Sequence, residues 1–445
     1  MTLSFRLTGF CSTLMLVVAV GCGEKNPVKE ISAAQSGVEV RDTLVDSADL
    51  PTLHWNQWRG GSIDGVVEDR EVATNWGESQ NVRWKLDVPG RGHGSPIVVG
   101  DVVYLATAIN DKQQQLVLAY DRKTGDQRWR REVHAGQFPS QRSIHNKSTN
   151  ANGTIACDGQ RLYIGFLNND KVMVSALGLD GEIVWQKEAG LFVSKFGYAV
   201  SPILYKSLVI VAADNMGGGY ITAMDGQTGE IAWRVARGNI SSYSSPTVAN
   251  VGGRDQLLIS GCDAVTSYDP ATGKQLWRTE CISEATCGTI VSTDNLLFAS
   301  GGYPDKETVC LSAAGEILWS NRTKIYEPSM VLLGDELIGV SDDGVANCWS
   351  VTDGKQVWRK RLGGNFSASP IVCNDTVYVS DLSGNTHVFK SVDGEFQSIA
   401  TNQVGTDCYA SPAVADTEIY LRVGVGSGDD RTENLVCIKT ASPAI

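Results

Sequence analysis

The chain of 445 residues is poor in positive charge and lacks the short motifs that mark the common enzyme classes. Lys and Arg number 38 against 50 Asp and Glu, a net charge of −12, which argues against nucleic-acid binding because that needs a basic surface. No Gly-x-Ser-x-Gly, His-Glu-x-x-His or Walker string occurs, so the usual hydrolase and nucleotide-binding classes have no support. The absence of any Cys-x-x-Cys pair excludes covalent c-type haem and a zinc ribbon.

Long apolar runs are also scarce, and the clearest one lies at the amino terminus. Phe10 to Val20 is too short to span a bilayer as a folded helix but fits the apolar region of a secretory signal peptide. It ends in small residues directly before Cys22, which resembles the bacterial lipobox, where cleavage precedes a lipidated cysteine. We therefore expect a lipoprotein-type signal peptide at 1–21 and a flexible tether at 22–50. An ordinary signal peptide and a transmembrane anchor are the alternatives.

Glycine and tryptophan, in contrast, are abundant, at 47 and 11 residues. Helical bundles do not favour so much glycine, whereas many short strands joined by tight turns require it. Composition alone thus favours an all-β fold.

One string recurs along the chain in the form Ala-x-Asp-x-x-Thr-Gly-x-x-x-Trp, with full copies leading to Trp129, Trp233 and, with Ser in place of Ala, Trp277. The Asp side chain can bond turn amides and Gly supplies a positive φ, so the string predicts a β-hairpin with an indole at a fixed point. We expect this indole to cover the turn of a neighbouring unit. The repeat tryptophans are Trp84, Trp129, Trp185, Trp233, Trp277, Trp319 and Trp358, and Phe396 takes the eighth position.

A second string, exemplified by Ser95-Pro96-Ile97-Val98-Val99, alternates with the first and has eight copies at intervals of 40–58 residues. Two hairpins per interval give four strands, which is the size of a propeller blade. The last unit has no Trp strand after it, whereas the Trp84 strand precedes all the others. We therefore predict an eight-bladed β-propeller of four-stranded antiparallel blades over 81–440, closed by the Trp84 strand, with a lead-in segment at 51–80 packed on it.

Nine cysteines follow Cys22, and most lie in apolar strand patterns that suit small buried side chains. Cys281 and Cys287 form the most plausible disulfide in an exported protein. The isolated histidines His54 and His134 have no partner by spacing and His387 lies in a strand pattern, so we interpret all three as structural.

The repeat resembles that of the pyrroloquinoline-quinone (PQQ)-type eight-bladed propellers. The resemblance implies two alternative functions, because the family includes PQQ- and calcium-dependent alcohol dehydrogenases and cofactor-free outer-membrane assembly lipoproteins. Such dehydrogenases typically carry a disulfide between adjacent cysteines, and no two cysteines are adjacent here. Their calcium needs carboxylate and amide ligands, but turn chemistry explains conspicuous candidates such as Asp342-Asp343-Gly344 and Asp214-Asn215.

Connections from each Trp strand to the next blade should converge on one end of the central channel. We predict a binding funnel there because these connections carry aromatic and charged groups. The alternative is that each side chain packs only on its own blade. The connection between Trp129 and Gly153 is the longest, and long polar loops on rigid scaffolds often carry function. The predicted funnel-mouth residues are Arg91, His93, His145, Lys147, Lys195, Tyr198, Tyr243, Glu284, Tyr326, Glu327, Phe366, Asp407 and Tyr409.

From sequence we thus expect an exported, lipid-anchored propeller on the periplasmic side of the outer membrane or elsewhere in the cell envelope. It would act as a monomeric scaffold for envelope proteins or an extended peptide, without a metal, a cofactor or catalytic residues. A PQQ- and calcium-dependent alcohol or sugar dehydrogenase is the alternative.

Overall fold

The computed structural model describes residues 28–42 and 50–440; the predicted signal peptide and Cys22 lie outside this part of the chain. Regular structure consists of one short helix, α1 (Ala33–Ser36), two 3-10 turns (Gln141–Ser143 and Gly428–Asp430) and 34 strands. No helix in residues 28–42 or 50–440 is long and apolar enough to cross a membrane.

In chain order the strands are β1 (Leu53–Trp55), β2 (Val66–Val67), β3 (Val82–Val88), β4 (Ile97–Val99), β5 (Val102–Ile109), β6 (Gln114–Asp121), β7 (Gln127–Ala135), β8 (Ala156–Cys157), β9 (Arg161–Asn168), β10 (Lys171–Gly178), β11 (Ile183–Leu191), β12 (Ile203–Tyr205), β13 (Leu208–Ala213), β14 (Tyr220–Asp225), β15 (Ile231–Ala236), β16 (Thr247–Val251), β17 (Arg254–Ser260), β18 (Ala264–Tyr268), β19 (Gln275–Glu280), β20 (Val291–Ser292), β21 (Leu296–Gly301), β22 (Glu307–Ser312), β23 (Ile317–Asn321), β24 (Val331–Leu333), β25 (Glu336–Val340), β26 (Val345–Ser350), β27 (Gln356–Arg361), β28 (Ile371–Cys373), β29 (Thr376–Ser380), β30 (Asn385–Val392), β31 (Glu395–Gln403), β32 (Ala413–Ala415), β33 (Glu418–Val425) and β34 (Thr432–Lys439).

These strands form eight sheets, which we number as blades 1 to 8 in chain order. Blade 1 contains β4–β7, each later blade up to blade 7 contains the next four strands, and blade 8 contains β32–β34 and β3. Within each blade neighbouring strands pair antiparallel, and the first strands of adjacent blades contact one another around a central channel. The predicted all-β, eight-bladed propeller with four-stranded antiparallel blades is confirmed.

Burial follows the position of a strand in its blade. The second strand of each blade is covered on both faces by the two neighbouring blades. In blade 3, for example, all six residues of β13 are buried. The fourth strands form the rim, where β27 exposes five of its six residues and buries Trp358. This layering explains why the central strands are almost continuously apolar whereas the rim strands alternate.

The repeat tryptophans connect each blade to the next one. Trp185 Nε1 donates to the carbonyl oxygen of Gly226 at 3.0 Å, in the turn of the following blade. In the same turn, Gly229 has a φ of +73°, and a Cβ atom there would lie 2.6 Å from the Trp185 ring. A side chain is thus excluded by both backbone conformation and the indole. The equivalent indoles bond Arg122 O (Trp84), Leu179 O (Trp129), Pro270 O (Trp233), Ala313 O (Trp277), Val351 O (Trp319) and Ser391 Oγ (Trp358).

The Ser-Pro strings supply a second set of bonds between blades, next to the channel. The amide of Ser201 donates to Ser245 Oγ at 2.9 Å, and Ser329 donates in the same way to Ser369. Six of the eight blade boundaries have this bond. Besides the two bonds just given, these six include four more in which the first residue donates its amide to the hydroxyl of the second: Ser95 to Thr154, Thr154 to Ser201, Thr289 to Ser329, and Ser369 to Ser411.

Blade 8 is built from the last three strands of the propeller, β32–β34, and from β3, which precedes blade 1 in the sequence. β3 pairs antiparallel with β34, which places Trp84 opposite Cys437. Blades 8 and 1 share an apolar core, and the Arg122 guanidinium from blade 1 adds polar bonds at its edge, donating to buried Glu418 at 2.8 Å and to Tyr420 at 3.2 Å.

Residues 28–42, which lie within the predicted tether, are packed on the propeller. Ile31 forms a backbone bridge with Arg234 on the rim strand of blade 3, and α1 follows it. The backbone pairing and a small apolar contact hold this segment, although its sequence has little periodicity.

Candidate functional site

The two ends of the channel differ in the chain segments that surround them. The Thr-Gly turns lie at one end, which we call the turn end. The opposite end, the mouth end, carries the loops between the second and third strands of each blade and the entry loops, which lead from each rim strand to the next blade.

The lead-in segment lies inside the ring of blades. β1 pairs with the first strand of blade 1, and β2 pairs with the first strand of blade 7. Between them, the Asn56 amide donates to Cys157 O in blade 2 at 2.7 Å, and Trp58 Nε1 donates to Thr289 Oγ1 in blade 5 at 2.8 Å. The segment thus crosses the channel and contacts strands on several of its sides.

Arg59 is the most deeply buried charge of this segment, at 2% exposure. Its Nη2 donates to Met330 O in blade 6 at 2.7 Å and to Asp64 O, while its Nε and Nη1 have no hydrogen-bond partner in residues 28–42 and 50–440. Burial lowers the pKa of Arg59 to about 10, and the charge of Asp64 opposes this effect. The guanidinium joins the lead-in to the channel wall.

At the mouth end, Lys147 and Glu327 meet across the channel. Lys147 belongs to the entry loop of blade 2 and Glu327 to that of blade 6, and Lys147 Nζ lies 2.8 Å from Glu327 Oε1. Ser367, from the entry loop of blade 7, donates to the other carboxylate oxygen of Glu327. The structure therefore brings together predicted mouth residues from loops far apart in sequence.

A second mouth cluster lies at the boundary between blades 8 and 1. The rings of His93 and Tyr409 stack with centroids 4.3 Å apart, and the Arg91 guanidinium lies 5.8 Å from the Tyr409 centroid. Asp407 accepts two hydrogen bonds from Arg431, at 2.5 and 2.7 Å. Burial, followed by the charge of Arg91, lowers the pKa of His93 well below its usual value, so this ring is neutral at pH 7.

Tyr243 and Tyr326 are half-buried beside Cys287 in the same region. Burial, assisted by the nearby Cys287, raises the pKa of both phenols, so both stay protonated at neutral pH. The Tyr243 hydroxyl has no hydrogen-bond partner among the described residues. These two phenols add no charge to the mouth, and the Tyr243 hydroxyl is itself buried.

Two predicted mouth aromatics instead pack inside the blades, which corrects their assignment to a binding surface. Tyr198 is buried against Phe192 and donates its hydroxyl to Ala212 O at 3.3 Å. Phe366 is fully buried and contacts His387. For these two residues, packing on the blade explains the aromatic side chain.

The remaining predicted mouth residues, His145, Lys195 and Glu284, are exposed. Phe196 connects the first two, because its ring lies 5.4 Å from His145 and 5.2 Å from Lys195 Nζ. The backbone of Glu284 bonds Cys262 and Asp263 in blade 4, away from this group.

The three histidines interpreted as structural contact the blades. His54 Nε2 lies 3.0 Å from the Arg122 guanidinium, and His387 Nε2 lies 3.4 Å from buried Asp381. His134 packs against Phe166, and burial lowers its pKa to about 4.

The predicted disulfide is wrong, because Cys281 and Cys287 are both free. Cys281 packs beside the core between blades 4 and 5, whereas the Cys287 amide bonds Tyr326 O in the entry loop of blade 6. The two cysteines thus contact different parts of the propeller, Cys281 the core of blades 4 and 5 and Cys287 the entry loop of blade 6.

The sequence did not predict an exposed apolar surface at the mouth end of blades 2 and 3. We call it the apolar patch, and it consists of Leu191, Val193, Phe196 and Met216, which are 55%, 53%, 42% and 49% exposed. The Val193 amide bonds Asn215 Oδ1 at 3.2 Å, which joins the entry loop of blade 3 to the loop containing Met216. The ring of Phe196 lies 6.3 Å from that of Tyr243, so the patch continues into the mouth. The apolar run Leu191-Phe192-Val193 after a rim strand was the available signal.

The described residues contain no group of three or more His, Cys, Asp or Glu side chains placed to hold a metal ion. The three turn acids considered from sequence have other partners, and Asp343 accepts from the Ser341 hydroxyl. Asp214 forms a buried ion pair with Arg237 at 2.6 Å, and Asp342 accepts the Glu327 amide at 2.7 Å.

Comparisons with known proteins agree with this architecture. A sequence model of the family described as outer membrane protein assembly factor BamB matches residues 65–174, 114–345 and 305–404. Outer membrane protein assembly factor BamB of Yersinia pestis is 25% identical over 340 residues, covering 70% of this chain and 78% of the relative. The same factor of Burkholderia pseudomallei (strain K96243) is 25% identical over 357 residues, covering 75% and 82%.

The crystal structure of quinohemoprotein alcohol dehydrogenase from Comamonas testosteroni superposes with a TM-score of 0.62 at 14% identity, covering 93% of this chain and 85% of that one. At this identity the likeness shows the fold alone. The family matches, in contrast, extend through most of the blades. The chain belongs to the family described as outer membrane protein assembly factor BamB.

Proposed function

We propose that the protein is a scaffold of the cell envelope that binds a protein partner and assists the assembly of outer membrane proteins. The observation that carries this proposal is the apolar patch, whose four large side chains are about half-exposed at the mouth end of blades 2 and 3. Exposed apolar groups beside polar ones are typical of protein interaction sites. The relatives of this chain are described as outer membrane protein assembly factors, which supports the same role for this protein.

The patch has a polar border that suits a specific protein contact. Lys195 lies over Phe196, and His145 contacts the edge of the same ring. The half-buried ring of Tyr243 lies beside Phe196 on the channel side. Apolar centres with polar, aromatic borders are the usual anatomy of protein interfaces.

The proposed location is the periplasmic face of the outer membrane, with an anchor at Cys22. The small residues before Cys22 support lipidation, and the described relatives are outer membrane assembly factors. The propeller itself is proposed to function as a monomer.

A PQQ-dependent dehydrogenase is the alternative, and the residues of this chain do not fit its cofactor. The lead-in segment crosses the channel, where Trp58 and Arg59 bond blades 5 and 6. No metal-binding group of three side chains exists in the described residues, and the candidate acids Asp214 and Asp342 are already bonded to protein. We therefore assign no catalytic step to this protein.

Photo-crosslinking tests the proposed partner contact. A photoreactive amino acid at Val193 should give a discrete adduct with an envelope protein in intact cells. The matched control is the same group at Leu318, which is equally exposed on the rim of blade 5. An adduct that Leu191→Asp removes from position 193 supports the proposal. No discrete adduct at position 193, or the same adduct at both positions, contradicts it.

A further inference from the structure

Residues 28–42 cover the rim of blade 3. The Ile31 amide donates to Arg234 O at 3.0 Å, and the Arg234 amide donates back to Ile31 O at 2.8 Å. The Ala236 amide donates to the Glu30 carboxylate at 3.0 Å. The segment thus adds a short bridge to the open edge of β15, a common way for extended chain to bind a sheet.

Apolar contact and ion pairs hold the rest of the segment. Val28, Ala33, Val38 and Val40 pack against the core that blades 2 and 3 share. At the far end, Arg41 Nη2 lies 2.6 Å from Asp225 Oδ2, whose side chain is buried. The Arg41 amide also donates to Ser207 Oγ at 3.0 Å.

Among the described residues, no such segment covers the rims of blades 2 and 5. On blades 2 and 5, the two residues before the repeat Trp are between 37% and 50% exposed (Ile183, Val184, Ile317 and Leu318). Their counterparts on blade 3 are Ile231, which is half-buried, and Ala232, which is 1% exposed. Blade 3 is thus the blade to which the chain attaches its own amino-terminal segment.

The direction of the segment determines where the preceding chain leaves the propeller. Glu30 lies near Ala236 at the mouth end of blade 3, whereas Arg41 lies near Asp225 at the turn end. Residues before Val28 therefore leave from the mouth end of the blade 3 rim.

Five residues lie between Cys22 and Val28, so only six Cα–Cα steps join them. At 3.3–3.6 Å per residue they reach about 20 Å at most, whereas a chain free as far as residue 50 would reach about 95 Å. We infer that the mouth end of the blade 3 rim faces a lipid bilayer and lies within this distance of it. The inference rests on the proposed anchor at Cys22, and it adds an orientation that the proposed function does not specify.

This orientation places the apolar patch near the bilayer. Arg234, which bridges Ile31, donates through its guanidinium to Ala189 O, two residues before Leu191 of the patch. In this orientation the mouth end of the blade 3 rim faces the membrane surface. The apolar patch beside it binds a protein located at that surface.

Energy transfer on vesicles tests the orientation. The acylated full chain is bound to phosphatidylethanolamine and phosphatidylglycerol vesicles that carry an acceptor dye on their headgroups. A donor dye is attached at Asn239→Cys on blade 3 or at Gln403→Cys on blade 7, on opposite sides of the ring and both exposed. The chain without either substitution measures labelling of its own cysteines.

The expected result is a higher transfer efficiency from position 239 than from position 403. The double substitution Ile31→Pro and Arg41→Ala removes the backbone donor and the ion pair of the docked segment, and it should abolish that excess while the protein stays on the vesicles. Equal transfer from both positions on vesicle-bound protein overturns the inferred orientation. Protein that does not sediment with vesicles overturns the anchor at Cys22 instead, and the inference falls with it.

Discussion

Lys147 and Glu327 are 180 positions apart in the chain, yet their side chains form an ion pair across the mouth of the channel. Their loops enter blades 2 and 6, which are four blades apart in a ring of eight. The long loop between blades 1 and 2 is thus held over the channel by a contact with the opposite side. The lead-in segment also crosses the channel, so two separate segments of the chain lie over or within it.

Replacing Lys147 by Met should release this loop without unfolding the propeller. Both side chains are partly exposed, so the pair contributes no more than about 1 kcal/mol to stability. We expect faster amide hydrogen exchange in residues 137–151 and a nearly unchanged unfolding midpoint. Lys355→Met, which removes an exposed ion pair with Asp353 on blade 6, is the control. Unchanged exchange in the loop would show that the ion pair does not hold it.

Trp233→Ala should be among the most destabilising single substitutions. The indole is fully buried, contacts the turn glycine Gly273 and bonds Pro270 O, so truncation should cost about 3–5 kcal/mol. Trp319→Ala is the matched control, since it occupies the same repeat position but is half-buried, and it should cost less. Chemical denaturation of the two variants measures the difference. Equal losses would mean that burial of the indole does not determine its contribution.

Stability should fall in acid partly through Glu418, at the boundary between blades 8 and 1. Burial alone would raise its pKa, but hydrogen bonds from Tyr420, Lys439 and Arg122 outweigh burial and lower the pKa from 4.5 to about 2. A carboxyl with a lowered folded-state pKa stabilises above its unfolded pKa and loses this contribution as pH falls. The shift corresponds to about 3 kcal/mol.

Denaturation of Glu418→Gln across pH checks this expectation. The difference in unfolding free energy between the wild type and Glu418→Gln should be constant above pH 5 and shrink between about pH 4.5 and pH 2. A difference that does not vary over this window would remove Glu418 as the titrating group.

Cys22→Ser should move the protein from the membrane to the soluble exported fraction with its fold intact. Each buried methylene of an acyl chain contributes about 0.8 kcal/mol, so loss of the chains removes the main membrane affinity. Fractionation after a high-salt wash, with circular dichroism of the released protein, measures this. Retention of the variant in the membrane would indicate an uncleaved anchor or a tightly bound partner.

The blade repeat was predictable because its signals are local. In the three full copies the Asp, Thr and Gly of the turn and the following Trp lie within eleven residues, and the other blades keep the turn Gly and an aromatic residue. The layering inside a blade was harder to predict. Trp349 lies outside the repeat position, yet it is only 3% exposed in the core between blades 5 and 6.

The features that define the candidate site depend on contacts between distant residues. Tyr198 and Tyr243 occupy similar positions before their Ser-Pro strings, but the first is buried by Phe192 and the second stays half-exposed. Ile31 meets Arg234 about 200 residues later, which no local pattern indicates. Likewise, the exposure of Leu191 and Val193 depends on what the neighbouring loops leave uncovered.

The most direct test of the scaffold function is the outer membrane protein content of cells whose own copy of this gene is deleted. Cells that express Leu191→Asp with Val193→Asp should retain the low content of the deletion strain, although the folded variant is present at normal levels. Cells that express the wild type, or Ile317→Asp with Leu318→Asp on the rim of blade 5, should recover normal content. Full recovery with the patch variant would contradict the account, as would an unchanged outer membrane protein content in the deletion strain itself.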